Sequence, residues 1–157
     1  QYVEAHPRFA ETRFILELGR YLIGLFGVYV ARVVDVKETR GKRFAIMDGG
    51  MNHCFAATGN FGQLIKKNYP VQNLTAAGEE LIPYELVGPL CTPLDSMARG
   101  IKLPETSVGD LIAFNNTGAY SFTASPVLFL GHATSPELVL HEGKIQVGRP
   151  RRAATSC

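Results

Sequence analysis

Tryptophan is absent, cysteine is scarce, and neither sign of charge dominates in these 157 residues. The three cysteines, Cys54, Cys91 and Cys157, show no CxxC spacing and make no disulfide framework. A reducing, cytoplasmic setting is therefore expected. The four histidines are scattered, without HExxH or paired Cys/His spacing, so no metal site is expected. Sixteen Lys and Arg against fourteen Asp and Glu leave a formal charge of +2. That bias is too small to argue for nucleic acid or an anionic membrane as partner. The longest apolar run, Tyr21 to Val36, is broken by Gly24, Gly27 and Arg32, so no membrane span is predicted. GxSxG, the P-loop and GxGxxG are all missing.

What is present is a chain of short strand signals. Arg13 to Glu17 is an apolar run ending in a carboxylate and then Gly19, which predicts a buried strand. Arg20 to Phe26 has room for one or two helical turns. Val28 to Val36 is rich in β-branched residues, and Arg43 to Asp48 returns after a turn containing Gly41, so a hairpin is predicted. Further strands are expected over Leu64 to Val71, Tyr84 to Leu90, Met97 to Leu103 and Asp110 to Asn115. A last hairpin joins Glu137–His141 to Lys144–Val147 across Glu142-Gly143. So many short strands with little helix predict a mainly β fold, a Greek-key-like barrel or sandwich. The arginine-rich end from Arg149 is expected to be a solvated tail.

Three clusters carry candidate chemistry. In Glu17-Leu18-Gly19-Arg20 an acid passes through glycine to a base. Arginine can grip a phosphate bidentately, and the acid can pair with a cationic ring nitrogen; a surface salt bridge beside a turn is the plainer alternative. In Gly88-Pro89-Leu90-Cys91-Thr92-Pro93-Leu94-Asp95 two prolines stiffen the turn that presents Cys91. An inert, half-buried thiol is the alternative there. In Thr117-Gly118-Ala119-Tyr120-Ser121, small residues let the tyrosine hydroxyl reach an acceptor such as phosphate. A locally bonded core tyrosine is the other option.

In this order and at these separations, the clusters resemble the C-terminal part of fold-type III pyridoxal-phosphate decarboxylases, the ornithine, arginine and diaminopimelate decarboxylase family. The family's Glu-Pro-Gly-Arg stands here as Glu17-Leu18-Gly19-Arg20, Gly-Pro-x-Cys as Gly88-Pro89-Leu90-Cys91, and Gly-Ala-Tyr as Gly118-Ala119-Tyr120. Asp48-Gly49-Gly50 with Met51-Asn52-His53 fits a further family stretch. Gly59-Asn60-Phe61-Gly62 and Cys91 to Asp95 look like the branch containing the glutamyl-carrier-protein decarboxylase of butirosin biosynthesis and exosortase-associated decarboxylases.

The resemblance implies pyridoxal 5'-phosphate as cofactor and a homodimer with shared active sites. Glu17 would face the ring nitrogen, Gly19, Arg20 and Tyr120 would hold the phosphate, and Arg20 would also meet substrate. Cys91 would enter the partner subunit's active site as a catalytic residue. Asp95 would pair with a lysine across the dimer interface. Thr92 stands where relatives acting on cationic substrates place an acid, so a neutral or tethered distal group, such as a carrier-protein-bound aminoacyl chain, fits better than a second amine. The family's cofactor lysine lies on a preceding (β/α)8 barrel, and neither Lys66 nor Lys67 is promoted to that role. Residues 1–26 would be the last strand and short helix of that barrel, 27–148 the β domain, and 149–157 the tail. Gln1 is read as a cut end, and this polypeptide alone is expected to be inactive. A non-catalytic β-barrel binding module and a racemase on the same cofactor are the alternatives.

Overall fold

A computed structural model describes residues 5–9, 11–61 and 63–153. Gly62 and Cys157, both named above, lie outside the described residues. Among the described residues eight strands form: β1 (Val28–Thr39), β2 (Lys42–Met47), β3 (Val71–Asn73), β4 (Ile82–Val87), β5 (Ser96–Leu103), β6 (Leu111–Asn115), β7 (Glu137–His141) and β8 (Lys144–Arg149). One short helix, α1 (Gly19–Ile23), precedes them and continues as a 3-10 turn over Gly24–Phe26. The expected mainly β, barrel-like fold is present.

Strands β1 to β6 make one sheet in the order β3-β6-β1-β2-β4-β5. Every pairing is antiparallel except β2 with β4. β1 serves two neighbours in turn. Val28 to Arg32 pair with β6, and from Val33 onward the strand pairs with β2, with a register shift between Val33 and Asp35. A bulge bends a strand and raises its twist, and this curvature lets the sheet roll up. The two outer strands meet at a seam closed by side-chain amide bonds. Asn68 Nδ2 donates to the Arg99 carbonyl at 2.7 Å, and the Arg99 N–H donates to Asn68 Oδ1 at 3.0 Å.

Alternation fills the barrel. On β4, Tyr84 and Leu86 point inward; Val33, Met47, Met97, Leu103, Ile112 and Phe114 meet them from the other strands. Cys54, Ala56, Ala57 and Tyr69 join this core from the long connection between β2 and β3. The buried Tyr84 hydroxyl accepts the Thr106 N–H at 3.0 Å, so its polar end is satisfied.

Two expected strands do not form. Leu64 to Pro70 is irregular and only Val71–Asn73 pairs, with Leu64 and Ile65 in solvent. Pro70 has no N–H for a ladder, and Lys66 and Lys67 favour water over a sheet interior. Lys66 and Lys67 thus sit in a loop, not in a strand. Arg13 to Glu17 has no regular secondary structure and pairs with no strand, with Phe14, Ile15 and Leu16 exposed. Burying such a run requires neighbours on both sides, and among the described residues only the Phe9 ring packs on it, edge-on to Phe14 at 5.7 Å. The segment after β8 is not simply frayed. Thr134 and Arg152 exchange two hydrogen bonds, at 2.9 and 3.0 Å, and Arg149 lies over the Phe122 ring. The final ribbon β7–β8 pairs only with itself. Among the described residues, no helix is long and apolar enough to cross a membrane.

Candidate cofactor and active-site loops

Glycine lets two distant segments touch. The Thr117 N–H donates to the Gly27 carbonyl and the Gly118 N–H to the Gly24 carbonyl, each at 2.9 Å. No side chain separates the two backbones, so α1 is pressed against the turn after β6. That contact brings together residues a hundred positions apart. A β-carbon on Gly19 would stand 3.5 Å from the Tyr120 hydroxyl. The Arg20 guanidinium sits 5.4 Å from the Tyr120 ring centroid, in cation–π range. Tyr120 holds a left-handed φ of 57°, as does Asn116 at 62°. A non-glycine residue in that region costs about 1–3 kcal/mol and is concentrated at functional sites.

Arg20 is braced by two residues to which the sequence motifs gave no such role. Its Nη1 donates to the Tyr69 hydroxyl at 2.9 Å and its Nη2 to the Phe61 carbonyl at 3.3 Å. Tyr69 is 8% exposed, and burial raises its phenol pKa while Arg20 opposes that rise. The Phe61 ring packs on Tyr120 at 5.3 Å.

The donor set suits a phosphate ester. It offers a braced guanidinium, a bare α-carbon at Gly19 for close approach, and the Tyr120 hydroxyl, which has no hydrogen-bond partner among the described residues. Glu17 stands two residues before this corner, exposed, with its own carbonyl accepting the Gly19 N–H at 3.1 Å. Its carboxylate has no partner within the described residues and is available for a cationic ring nitrogen.

Cys91, Thr92 and Asp95 form a second cluster. Among the described residues, no hydrogen bond joins it to Arg20 or Tyr120. Asp95 is 3% exposed and organises the loop. Its Oδ1 accepts the Met51 N–H at 2.6 Å and its Oδ2 the Leu90 N–H at 2.9 Å. Its backbone completes the turn, since the Gly88 N–H donates to the Asp95 carbonyl at 3.0 Å. Burial pushes the Asp95 carboxyl above its ordinary range, with the two N–H bonds opposing. Within the chain its partners are backbone groups; no lysine or arginine of the described residues pairs with it. Thr92 caps the turn by accepting the Leu94 N–H at 3.3 Å, and Cys91 is exposed at its tip.

One loop bridges the two clusters. Asn60 Nδ2 donates to the Leu94 carbonyl at 3.1 Å, while its neighbour Phe61 contacts Arg20 and Tyr120. The Asn60-Phe61 pair stood out in the sequence only as a branch-like motif, and the bridge itself carried no local signal. Tyr69 was missed outright. No group of three or more His, Cys, Asp or Glu able to hold a metal occurs among the described residues.

Comparison with known proteins places this geometry. Residues 21–118 match the family described as pyridoxal-dependent decarboxylase, C-terminal sheet domain. The chain is 38% identical over 151 residues to the L-glutamyl-[BtrI acyl-carrier protein] decarboxylase of Niallia circulans, covering 94% of this chain and 35% of that protein. It is 32% identical to the diaminopimelate decarboxylase of Helicobacter pylori, covering 91% of this chain and 34% of the relative. The crystal structure of diaminopimelate decarboxylase from Helicobacter pylori, complexed with L-lysine, superposes with a TM-score of 0.75 at 29% identity, over 87% of this chain and 32% of that one. The chain thus spans about a third of the length of these relatives. Fold, matched region and motif order agree, and the chain belongs to the pyridoxal-dependent decarboxylases of the ornithine, diaminopimelate and arginine group, as their C-terminal sheet domain.

Proposed function

We propose that this chain is the part of a pyridoxal-phosphate-dependent amino-acid decarboxylase that grips the cofactor phosphate and lends a cysteine to a neighbouring active site. The observation that carries the reading is the meeting of Gly19, Arg20 and Tyr120 across the backbone contact between α1 and the turn after β6. When bound, the cofactor supplies an electron sink for the pair left behind by the departing carboxylate. The chain's own residues do the rest. Arg20 and Tyr120 hold the phosphate, with Tyr69 and the Phe61 carbonyl fixing the guanidinium. Glu17 keeps a proton on the ring nitrogen. Cys91, at the tip of a loop tied down by Asp95, meets the substrate in the partner subunit, so the working form is a homodimer in the cytoplasm. Asp95 has a second role at that interface, opposite a lysine. Residues 1–26 belong to a (β/α)8 barrel, 27–148 are the β domain, and the remainder is its tail.

Thr92 shapes the substrate. It has no charge to offer, and its hydroxyl already accepts the Leu94 N–H. A cationic far end would be left unpaired there, whereas an acyl chain tethered to a carrier protein loses nothing. The Niallia circulans relative carries a carrier-bound substrate in its name. The test is carbon dioxide release by the full-length protein from glutamyl carrier protein, diaminopimelate and ornithine. Turnover of the carrier-bound substrate is expected, and Thr92→Glu is expected to shift kcat/KM toward a diamino substrate. Efficient turnover of free diaminopimelate or ornithine by the unaltered enzyme would sink the substrate reading.

A further inference from the structure

Beside the two clusters, a cleft of about 250 Å3 opens between the loop ahead of β3 and the start of β5. Its walls include Thr58, Lys66, Lys67, Asn68, Ser96 and Arg99, and no carboxylate lines it. The three cations are compensated only by neutral groups. The Lys66 ammonium donates to Asn60 Oδ1, and Arg99 Nε donates to Ser96 Oγ at 3.2 Å. The Lys67 ammonium has no partner among the described residues. Like charges held together repel, and an anion entering the cleft removes that cost.

The cleft is also firmly built. The reciprocal Asn68–Arg99 bonds close the seam beneath it. Asn60, which accepts from Lys66, donates to the Leu94 carbonyl of the Cys91 loop. An anion bound here therefore lies next to the segment that carries Cys91 and Thr92. The cleft has room for a phosphate and the first atoms of a chain attached to it.

We infer that this cleft holds the phosphodiester of the phosphopantetheine arm on which a carrier protein presents the substrate, an assignment that rests on the carrier-bound reading above. Arg99 supplies the planar fork that suits phosphate, and Lys67 the free point charge. The arm would then run from the cleft along the Cys91 loop.

The test titrates the full-length protein with 4'-phosphopantetheine and with pantetheine, followed by ligand-observed NMR. The phosphorylated form is expected to bind at least tenfold more tightly, and Lys67→Gln with Arg99→Gln to erase the difference. Lys67→Arg should restore most of it, and unchanged thermal unfolding would show that the variants fold. Equal affinity for the two ligands overturns the inference, as does a preference that survives both substitutions. Displacement by inorganic phosphate as effective as by 4'-phosphopantetheine overturns the arm in favour of a free anion. Carrier-bound turnover is measured in parallel. If it persists while the phosphate preference is absent, the cleft assignment alone falls; if no carrier-bound substrate is turned over, the substrate reading falls with it.

Discussion

Gly27 and Gly118 meet backbone to backbone, and their contact fixes where Arg20 stands relative to Tyr120. A β-carbon on Gly118 would stand well inside van der Waals contact distance of the Ile23 carbonyl oxygen, and one on Gly27 would strike the Gly118 nitrogen. Gly118→Ala is therefore expected to push α1 away from the turn. Such overpacking costs about 1–3 kcal/mol, and the separation of Arg20 from Tyr120 should weaken cofactor binding about tenfold, an order of magnitude taken from the loss of one charge-assisted contact. Equilibrium dialysis of pyridoxal phosphate against the full-length protein, with chemical denaturation alongside, measures both.

The tautomer of His53 follows from its partners. Nε2 lies 2.8 Å from the Ala133 carbonyl, which can only accept, so Nε2 carries the proton. Nδ1 then accepts from the Tyr29 hydroxyl at 3.3 Å. Burial lowers the His53 pKa from its ordinary 6.5. Below 6.5 the unfolded chain takes up a proton that the folded state refuses, so stability falls with pH until the folded value is passed. Urea unfolding between pH 7.5 and 5 should show this decline, and His53→Gln should flatten it. A slope unchanged by the substitution would place the acid sensitivity elsewhere.

Cys91 and Cys54 should differ sharply toward a thiol reagent. Cys91 is exposed at a loop tip, while Cys54 is fully buried with its thiol pKa raised by burial. Peptide mapping after a brief alkylation should find Cys91 modified and Cys54 intact. Asp95→Ala removes the acceptor for the Met51 and Leu90 N–H groups. Leaving buried donors unmet costs about 1–3 kcal/mol each. Modification of Cys91 should then accelerate as its loop loosens.

Tyr84 and Phe114 separate a hydrogen bond from a packing contribution. Tyr84→Phe keeps the ring but strands the Thr106 N–H, for an expected loss of about 1–3 kcal/mol. Phe114→Ala empties a fully buried site and should cost about 3–5 kcal/mol. Denaturant midpoints with unchanged m-values would confirm both.

Much of the barrel could be read from local chemistry. The β-branched run in β1 and the alternation around Tyr84 and Leu86 marked strands because pleated geometry asks for those patterns. Gly19, Arg20 and Tyr120 were legible as motifs, and the structure brings them together. Leu64 to Pro70 misled because its apolar residues suggested a strand, whereas Pro70 and the two lysines dictate a loop. Phe14, Ile15 and Leu16 likewise signalled burial without naming the surface that would cover them. The Arg20–Tyr69 bond left no trace, since its partners are 49 residues apart and each has an ordinary local context.

The divided loyalty of β1 sets a timetable. Its second half can zip onto β2 as soon as the hairpin turn is made. Its first half waits for β6, with Val28 facing Asn115. Pairings so distant along the chain are slow to form. During synthesis, the backbone of Val28 to Arg32 must remain unpaired on this side until nearly ninety further residues have left the ribosome, a span set by the pairing of Val28 with Asn115. The late pairing of that half-strand follows from its register, and slowed translation ahead of β6 should lengthen the interval in which it stays unpaired.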